Sequence, residues 1–214
     1  MIVREIFAII IGYLLGSIPS AYIVTRLVTG KDIRRMGGGN VGGQNVRREV
    51  GAWAALAVGI TDVGKGAAAV AIAYWLLDLP PLFVMLAGLA AVIGHNWMAW
   101  LKFSGGKGMG TTIGALAVLL PVYGYWPGLL IIFGVILIPQ LITHNIAISM
   151  GLSLVTLPFI TWLGMDSGTG TIMAIILGLV VGIKFLPTAR SAWAKAESKR
   201  DNFFFDHWQG DRDR

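Results

Sequence analysis

The chain contains no cysteine among its 214 residues. That absence excludes disulfide bonds, thiolate metal sites and a cysteine nucleophile. Charge is scarce as well. Only 13% of the residues are Asp, Glu, Lys or Arg, about half the ~25% usual for soluble domains. There is no nucleophile elbow, no metal cluster and no paired-carboxylate arrangement, and Ser104 and Ser149 come with no obvious base. A covalent acyl-enzyme is therefore not expected, nor is a metal or other cofactor. No internal repeat is visible, which argues against an inverted-repeat transporter.

What is present is hydrocarbon. Apolar residues make up 56% of the chain and the mean hydropathy is +0.73. Several apolar runs approach the ~20 residues that cross a bilayer as a helix. The expected fold is an all-α membrane protein with seven spans, near Ile6–Val28, Val50–Leu77, Pro81–Leu101, Met109–Leu120, Tyr123–Ile142, Ile146–Leu163 and Gly170–Leu186. The fourth is short, so it either packs inside the bundle or begins within Gly105–Gly108. Pro19 should kink the first. The N-terminal run lacks a small-residue cleavage site and reads as a retained helix. The 29 glycines follow no collagen period. Gly12/Gly16, Gly110/Gly114 and Gly178/Gly182 fit the small-xxx-small spacing of close helix packing.

The formal charge of +6 does not point to nucleic acid, because the basic residues sit in loops beside apolar runs and suit anionic lipid. The first loop carries Arg26, Lys31, Arg34, Arg35, Arg47 and Arg48. The third carries Lys102 and Lys107, and the C-terminal tail is basic. The alternate loops show only Asp78 and Asp166. The positive-inside rule puts the N-terminus outside and these basic segments, with the C-terminus, in the cytoplasm. Residues 1–187 form the membrane domain in this reading. Residues 188–214 form a basic, aromatic cytoplasmic tail, suited to lying on the inner leaflet.

Two stretches carry the candidate chemistry. The loop Asp32–Arg48 packs five glycines, two asparagines and four arginines into seventeen residues. It reads as a flexible cationic loop folding over an anion, with Arg48 or Arg47 as a fork donor to phosphate. Its Gly37-x-Gly39-x-x-Gly42 matches a dinucleotide fingerprint only formally, since no βαβ unit is present. The second stretch runs from Gly94 to Thr112. It holds His95, a candidate base or structural donor, and Lys107 framed by Gly105, Gly106 and Gly108, where glycine lets backbone N–H groups approach an anion. Lys107 is not a Walker lysine, because Gly108 stands where Ser or Thr would follow. Asp62 and Lys65 lie within the second apolar run and share one helix face. They either wall a site or form a structural ion pair, because a charge facing lipid costs about 2.5–3.5 kcal/mol.

Taken together these pieces resemble the bacterial membrane acyltransferase family called PlsY, which acylates glycerol 3-phosphate from acyl phosphate. The resemblance rests on Leu14-Leu15-Gly16-Ser17-Ile18-Pro19, Asp32-Ile33-Arg34, Gly39-Asn40-x-Gly42, Asn45-Val46-x-Arg48, Asp62-x-x-Lys65-Gly66, Gly94-His95, Lys102-Phe103-x-Gly105-Gly106-Lys107-Gly108 and Thr111. It implies a seven-span enzyme of the bacterial inner membrane with its site facing the cytoplasm. The implied reaction gives lysophosphatidate by acyl transfer to the 1-hydroxyl of glycerol 3-phosphate, an opening step of phospholipid synthesis. The implied site has Asn40, Arg48, His95 and Lys107 at the chemistry. Gly39, Gly42, Asn45, Lys65, Gly105, Gly106, Gly108 and Thr111 bind the substrates. Partners would be acyl phosphate, glycerol 3-phosphate and membrane lipid.

The sequence also departs from the family pattern. Gly38 replaces a serine, and a second family serine falls at Ala147, with Ser149 or His144-Asn145 as candidates to replace it. A His-x-x-Asn pair falls near Phe185 and Thr188. In the family these positions help to hold glycerol phosphate, so the resemblance also admits the same fold with an altered acceptor, or with lipid or acyl-phosphate binding in place of turnover.

Overall fold

The computed structural model describes residues 2–143, 146–187 and 190, all helix and connecting turns without strands among them. The helices are α1 (Ile2–Gly16), α2 (Ser20–Thr29), α3 (Gly43–Glu49), α4 (Ala52–Ala71), α5 (Pro81–Asn96), α6 (Met109–Val122), α7 (Pro127–Thr143), α8 (Ile146–Met165) and α9 (Gly168–Pro187). α4 continues into a π-helical turn, Ile72–Leu76, and single 3₁₀ turns lie at Ile33–Arg35 and Ala99–Leu101. Five helical stretches are long and apolar enough to cross a membrane: Ile2–Thr29, Ala52–Leu76, Pro81–Leu101, Ile148–Met165 and Gly168–Pro187. Two further apolar helices, Met109–Val122 and Pro127–Ile142, are shorter. Apart from Arg190, the tail expected from Thr188 onward lies outside the described residues, as do His144 and Asn145.

Boundaries shift from expectation for local reasons. Pro19 breaks the first stretch rather than kinking it, separating α1 from α2 across Ser17–Pro19. The fifth expected span, α7, begins at Pro127, not Tyr123, because Gly124 takes φ +80° and turns the chain. α6 starts directly after Gly108, whose φ of +75° is open to glycine and costly for other residues. The loop expected to be flexible is instead half helix. α3 occupies Gly43–Glu49, and Val46 is fully buried beneath it.

Close packing sets the frame. Gly12 and Gly16 of α1 press on the backbone of Ala87 and Ala91 in α5, and Gly66 and Gly114 bring α4 and α6 into backbone contact. Added methyl groups at these four sites would collide with main-chain carbonyls. Gly178 makes only ordinary contact with Leu154, and Gly182 faces open space, so that third small-residue pair does not seat a helix. The main core runs along the bundle through Val70, Val84, Val92, Leu116, Leu120, Leu157 and Val181. A second, smaller core of Ile33, Val41, Val46, Val58, Met98 and Leu101 fixes the glycine-rich loop onto α4 and the end of α5.

Candidate active site

At the loop end of the bundle a small open cleft lies between the two candidate stretches. It is lined by Asn40 and Gly42, by Asp62 of α4, by His95 of α5, and by Lys107 and Gly108 with the start of α6. Long-range packing therefore brings together residues that lie up to 70 positions apart.

The loop half owes its shape to Asn45. Its side-chain amide donates to the carbonyls of Ile33, Met36 and Asn40 at 3.4, 3.0 and 3.1 Å, and its Oδ1 accepts from the Gly38 N–H at 3.3 Å. Asn45 is 1% exposed, so its hydrogen-bonding capacity goes into loop geometry. Gly39 adopts φ +70°, completing that turn, and Gly42 is buried at the mouth of α3. Arg34 is held by a two-pronged contact to Asp32, with Nη2 at 2.7 Å from Oδ2, and lies over the Tyr22 ring. The Arg34 guanidinium holds the Asp32 carboxyl below its usual pKa. Arg48, by contrast, is exposed in the last turn of α3 and has no such bond among the described residues.

The second half folds back on α5. The Gly106 N–H donates to the His95 carbonyl at 3.0 Å. Gly105 lies against the His95 and Asn96 carbonyls, Gly106 against the imidazole Nε2, and Gly108 against the Asn96 carboxamide. These glycines are needed for packing beneath the cleft, and Gly108 also lines it. Lys107 is half-buried, with Nζ 4.6 Å from the centre of the Phe185 ring. Burial, and then the positive charge of Arg48, push its pKa below the ordinary 10.5.

Behind the cleft sits a charged cluster. Asp62 Oδ1 accepts from Lys65 Nζ at 2.8 Å and from the Ser20 hydroxyl at 2.6 Å, and lies 3.5 Å from His95 Nδ1. Lys65 also donates to the Ile18 carbonyl at 3.2 Å. Asp62 and Lys65 are 6% and 4% exposed, and His95 is 3% exposed. The ion pair expected from the i, i+3 spacing is thus formed. Lys65 is turned toward Asp62 and the α1–α2 break. Thr111 lies one step inside α6 with its carbonyl on Gly66. Neither Lys65 nor Thr111 forms part of the cleft wall.

Sequence reasoning passed over Ser20, read Gly110 only as a packing glycine, and weighted Asp62 toward a structural role. Ser20 gave only a small polar residue after a proline inside an apolar run, which is a weak signal. Asp62 gave a strong one, a carboxylate within a span, whose place in the cleft wall depends on how α4 meets α5.

Of the departures from the family pattern, Gly38 faces open space and Phe185 meets Lys107. Ala147 falls at the start of α8, and Thr188 lies outside the described residues.

An all-helical bundle with several bilayer-length spans, and a polar cleft at one end, defines a multi-pass integral membrane protein. The family comparison makes that class specific. Residues 6–195 match the glycerol-3-phosphate acyltransferase family, and the chain belongs to it. Glycerol-3-phosphate acyltransferase 1 of Dehalococcoides mccartyi is 50% identical over 202 residues, covering 94% of this chain and 97% of that protein. Glycerol-3-phosphate acyltransferase 2 of the same organism is 36% identical over 197 residues, covering 92% and 91%. Crystal structures of PlsY (YgiH), an integral membrane glycerol 3-phosphate acyltransferase, superpose on 89% of this chain and 92% of theirs. The glycerol 3-phosphate form gives a TM-score of 0.80 at 26% identity, and the lysophosphatidic acid form 0.78 at 25%.

Proposed function

We propose that this acyltransferase takes its acyl group from acyl phosphate and delivers it to the 1-hydroxyl of glycerol 3-phosphate, releasing lysophosphatidate and inorganic phosphate. One observation carries the reading. Lys107 faces a cleft at the end of a membrane bundle, with a second cation, Arg48, close enough to act on its charge and without a carboxylate partner among the described residues. That arrangement suits two anionic substrates held side by side.

An acyl phosphate is a mixed anhydride, activated before it arrives, so no protein nucleophile is required. The hydroxyl oxygen attacks the acyl carbonyl and the bond to the phosphate oxygen breaks. Phosphate leaves, and the hydroxyl proton passes to substrate phosphate. The protein's share is positioning and charge neutralisation. Lys107 and Arg48 would neutralise the phosphates, with Asn40 and the N–H groups near Gly39 and Gly42 orienting the donor. His95 has Nε2 against Gly106 and Nδ1 toward Asp62, which supports a bracing role over that of a free base. The basic loops around the cleft support a cytoplasm-facing site in the bacterial inner membrane, with the N-terminus outside.

Phosphate release from acyl phosphate by the purified protein should require glycerol 3-phosphate, and Lys107→Ala should lower kcat by about 10²–10³-fold, the usual cost of removing one preorganised charge-stabilising group. Release that survives this substitution would overturn the site. A second reading, an altered acceptor, is favoured by Phe185, whose ring meets Lys107 where the family has a polar side chain. Turnover with another polyol phosphate but not with glycerol 3-phosphate would select it.

A further inference from the structure

Lys107 lines the cleft, and what holds its ammonium there is a ring rather than an anion. Among the described residues its Nζ has no carboxylate partner. It lies instead 4.6 Å from the centre of the Phe185 ring, near the end of α9.

That ring is itself fixed. Phe185 packs against the main core, and two contacts bind the same end of α9 to the end of α5. The Asn96 side-chain amide donates to the Val180 carbonyl at 3.4 Å. Lys184 Nζ lies 4.9 Å from the centre of the Trp97 ring, and the Trp97 carbonyl accepts from the Tyr13 hydroxyl of α1 at 2.8 Å. Two lysine–aromatic contacts therefore run in opposite directions. One sets Lys107, from the segment after α5, on a ring of α9. The other sets Lys184, from α9, on a ring at the end of α5, and with Asn96 it fixes where Phe185 lies.

The kind of partner matters chemically. A carboxylate against Lys107 would orient it but cancel its charge. The face of an aromatic ring attracts an ammonium through its quadrupole and carries no net charge. An ammonium has three N–H donors, so one ring face leaves others for an anion in the cleft. The contact also favours the protonated form, against the burial and the Arg48 charge that lower the Lys107 pKa.

We infer that Phe185 is a positioning residue for the reaction: its ring holds the Lys107 ammonium at the cleft wall, oriented and with its charge intact, for a substrate phosphate. This rests on the reading that Lys107 meets substrate phosphate. The other charged or titratable groups around the cleft are Arg48 of α3, Asp62 and Lys65 of α4, His95 of α5 and Lys184 of α9. The variants below leave all of them in place.

The test uses the full chain in nanodiscs with two variants. Phe185→Leu keeps an apolar side chain without the ring, and Phe185→Tyr keeps the ring. With acyl phosphate and glycerol 3-phosphate, Phe185→Leu should lower kcat/KM by about 2–30-fold, the worth of a cation–π contact. It should also move the alkaline limb of kcat/KM to lower pH by about half to one and a half pH units. Phe185→Tyr should keep both near wild type. If Phe185→Leu does not fold, Phe185→Met takes its place. A loss of rate with an unmoved limb means that Phe185 only packs, and overturns the inference. So does an equal loss in the Leu and Tyr variants. A second measurement watches Lys107 without the reaction. Lysines carrying isotope-labelled methyl groups keep their charge, and the Lys107 signal in the NMR spectrum is the one missing from Lys107→Arg. In wild type it should be displaced by the ring current and titrate at higher pH than in Phe185→Leu. If the protein turns over no acyl phosphate but this signal behaves so, the hold of the ring on Lys107 stands and the reaction assignment fails. A signal with the same position and titration in wild type and Phe185→Leu overturns the inference at any level of turnover.

Discussion

The two ends of α6 are built on opposite terms. Where the helix begins, there is no slack: Gly106 lies on the His95 imidazole, Gly110 on the Asp62 side chain, and Asn45 exhausts its amide on the loop. Ten residues on, Leu116 and Leu119 line an open-sided pocket that is almost wholly apolar. The difference follows from the forces each end uses. Hydrogen bonds and charge contacts are directional and weaken steeply with misplacement, so their partners are held by packed backbone. Apolar contact has no direction and needs only volume and shape.

The largest test of this contrast strikes the tight end. Asp62→Leu leaves the Lys65 ammonium buried without its carboxylate, and should destabilise the protein by about 3–5 kcal/mol. Thermal unfolding in detergent reads it, and a change below ~1 kcal/mol would mean the pair is not part of what holds the cleft wall. Next comes a pair of enlarged side chains. Gly106→Ala presses on His95 and should cost about 1–3 kcal/mol by overpacking. Ala174→Leu adds three carbons beside the open-sided apolar pocket and should cost less than Gly106→Ala. Equal losses would erase the distinction between the two ends.

A subtler effect is expected in pH dependence. Lys107 must be protonated to hold phosphate, and its pKa is lowered first by burial and then by Arg48. Activity should therefore fall as pH rises through a value below the ordinary lysine range. Arg48→Gln removes one of the two causes, so the alkaline limb of kcat/KM should move to higher pH, whatever the loss in rate. A limb that stays in place would show that Arg48 does not act on Lys107. The smallest effect belongs to Gly38→Ser. A side chain there meets open space, and a restored hydroxyl should tighten the acceptor KM by a few-fold, the worth of one net hydrogen bond of about 1 kcal/mol.

Hydropathy located all the long apolar helices within a few residues, because a bilayer-length run needs no tertiary context to be recognised. It gave no warning of α3. A seven-residue helix is too short to stand on its own propensity. It exists because Val46 enters the smaller core while Asn45 ties its first turn to the loop. The same limit applies at the site. Lys107, Asn40 and His95 were legible as residue types in suggestive company. Whether Lys65 or Asp62 would face the cleft depended on the rotation of α4 against α5 and α6, which Gly66 and Gly110 settle by contact. Gly178 and Gly182 show the converse, a packing motif in sequence with no tight partner in space.

The break between α1 and α2 has a consequence for how this chain can change over evolutionary time. In an unbroken helix the Ile18 carbonyl would accept the N–H four residues on. With Pro19 in place it accepts instead from the Ser20 N–H at 3.0 Å and from Lys65 at 3.2 Å. One proline thus supplies both the acceptor and the serine that steady a carboxylate–ammonium pair on another helix. A lineage that straightens this span removes that support, so Pro19, Ser20, Asp62 and Lys65 should be inherited, or lost, as a set.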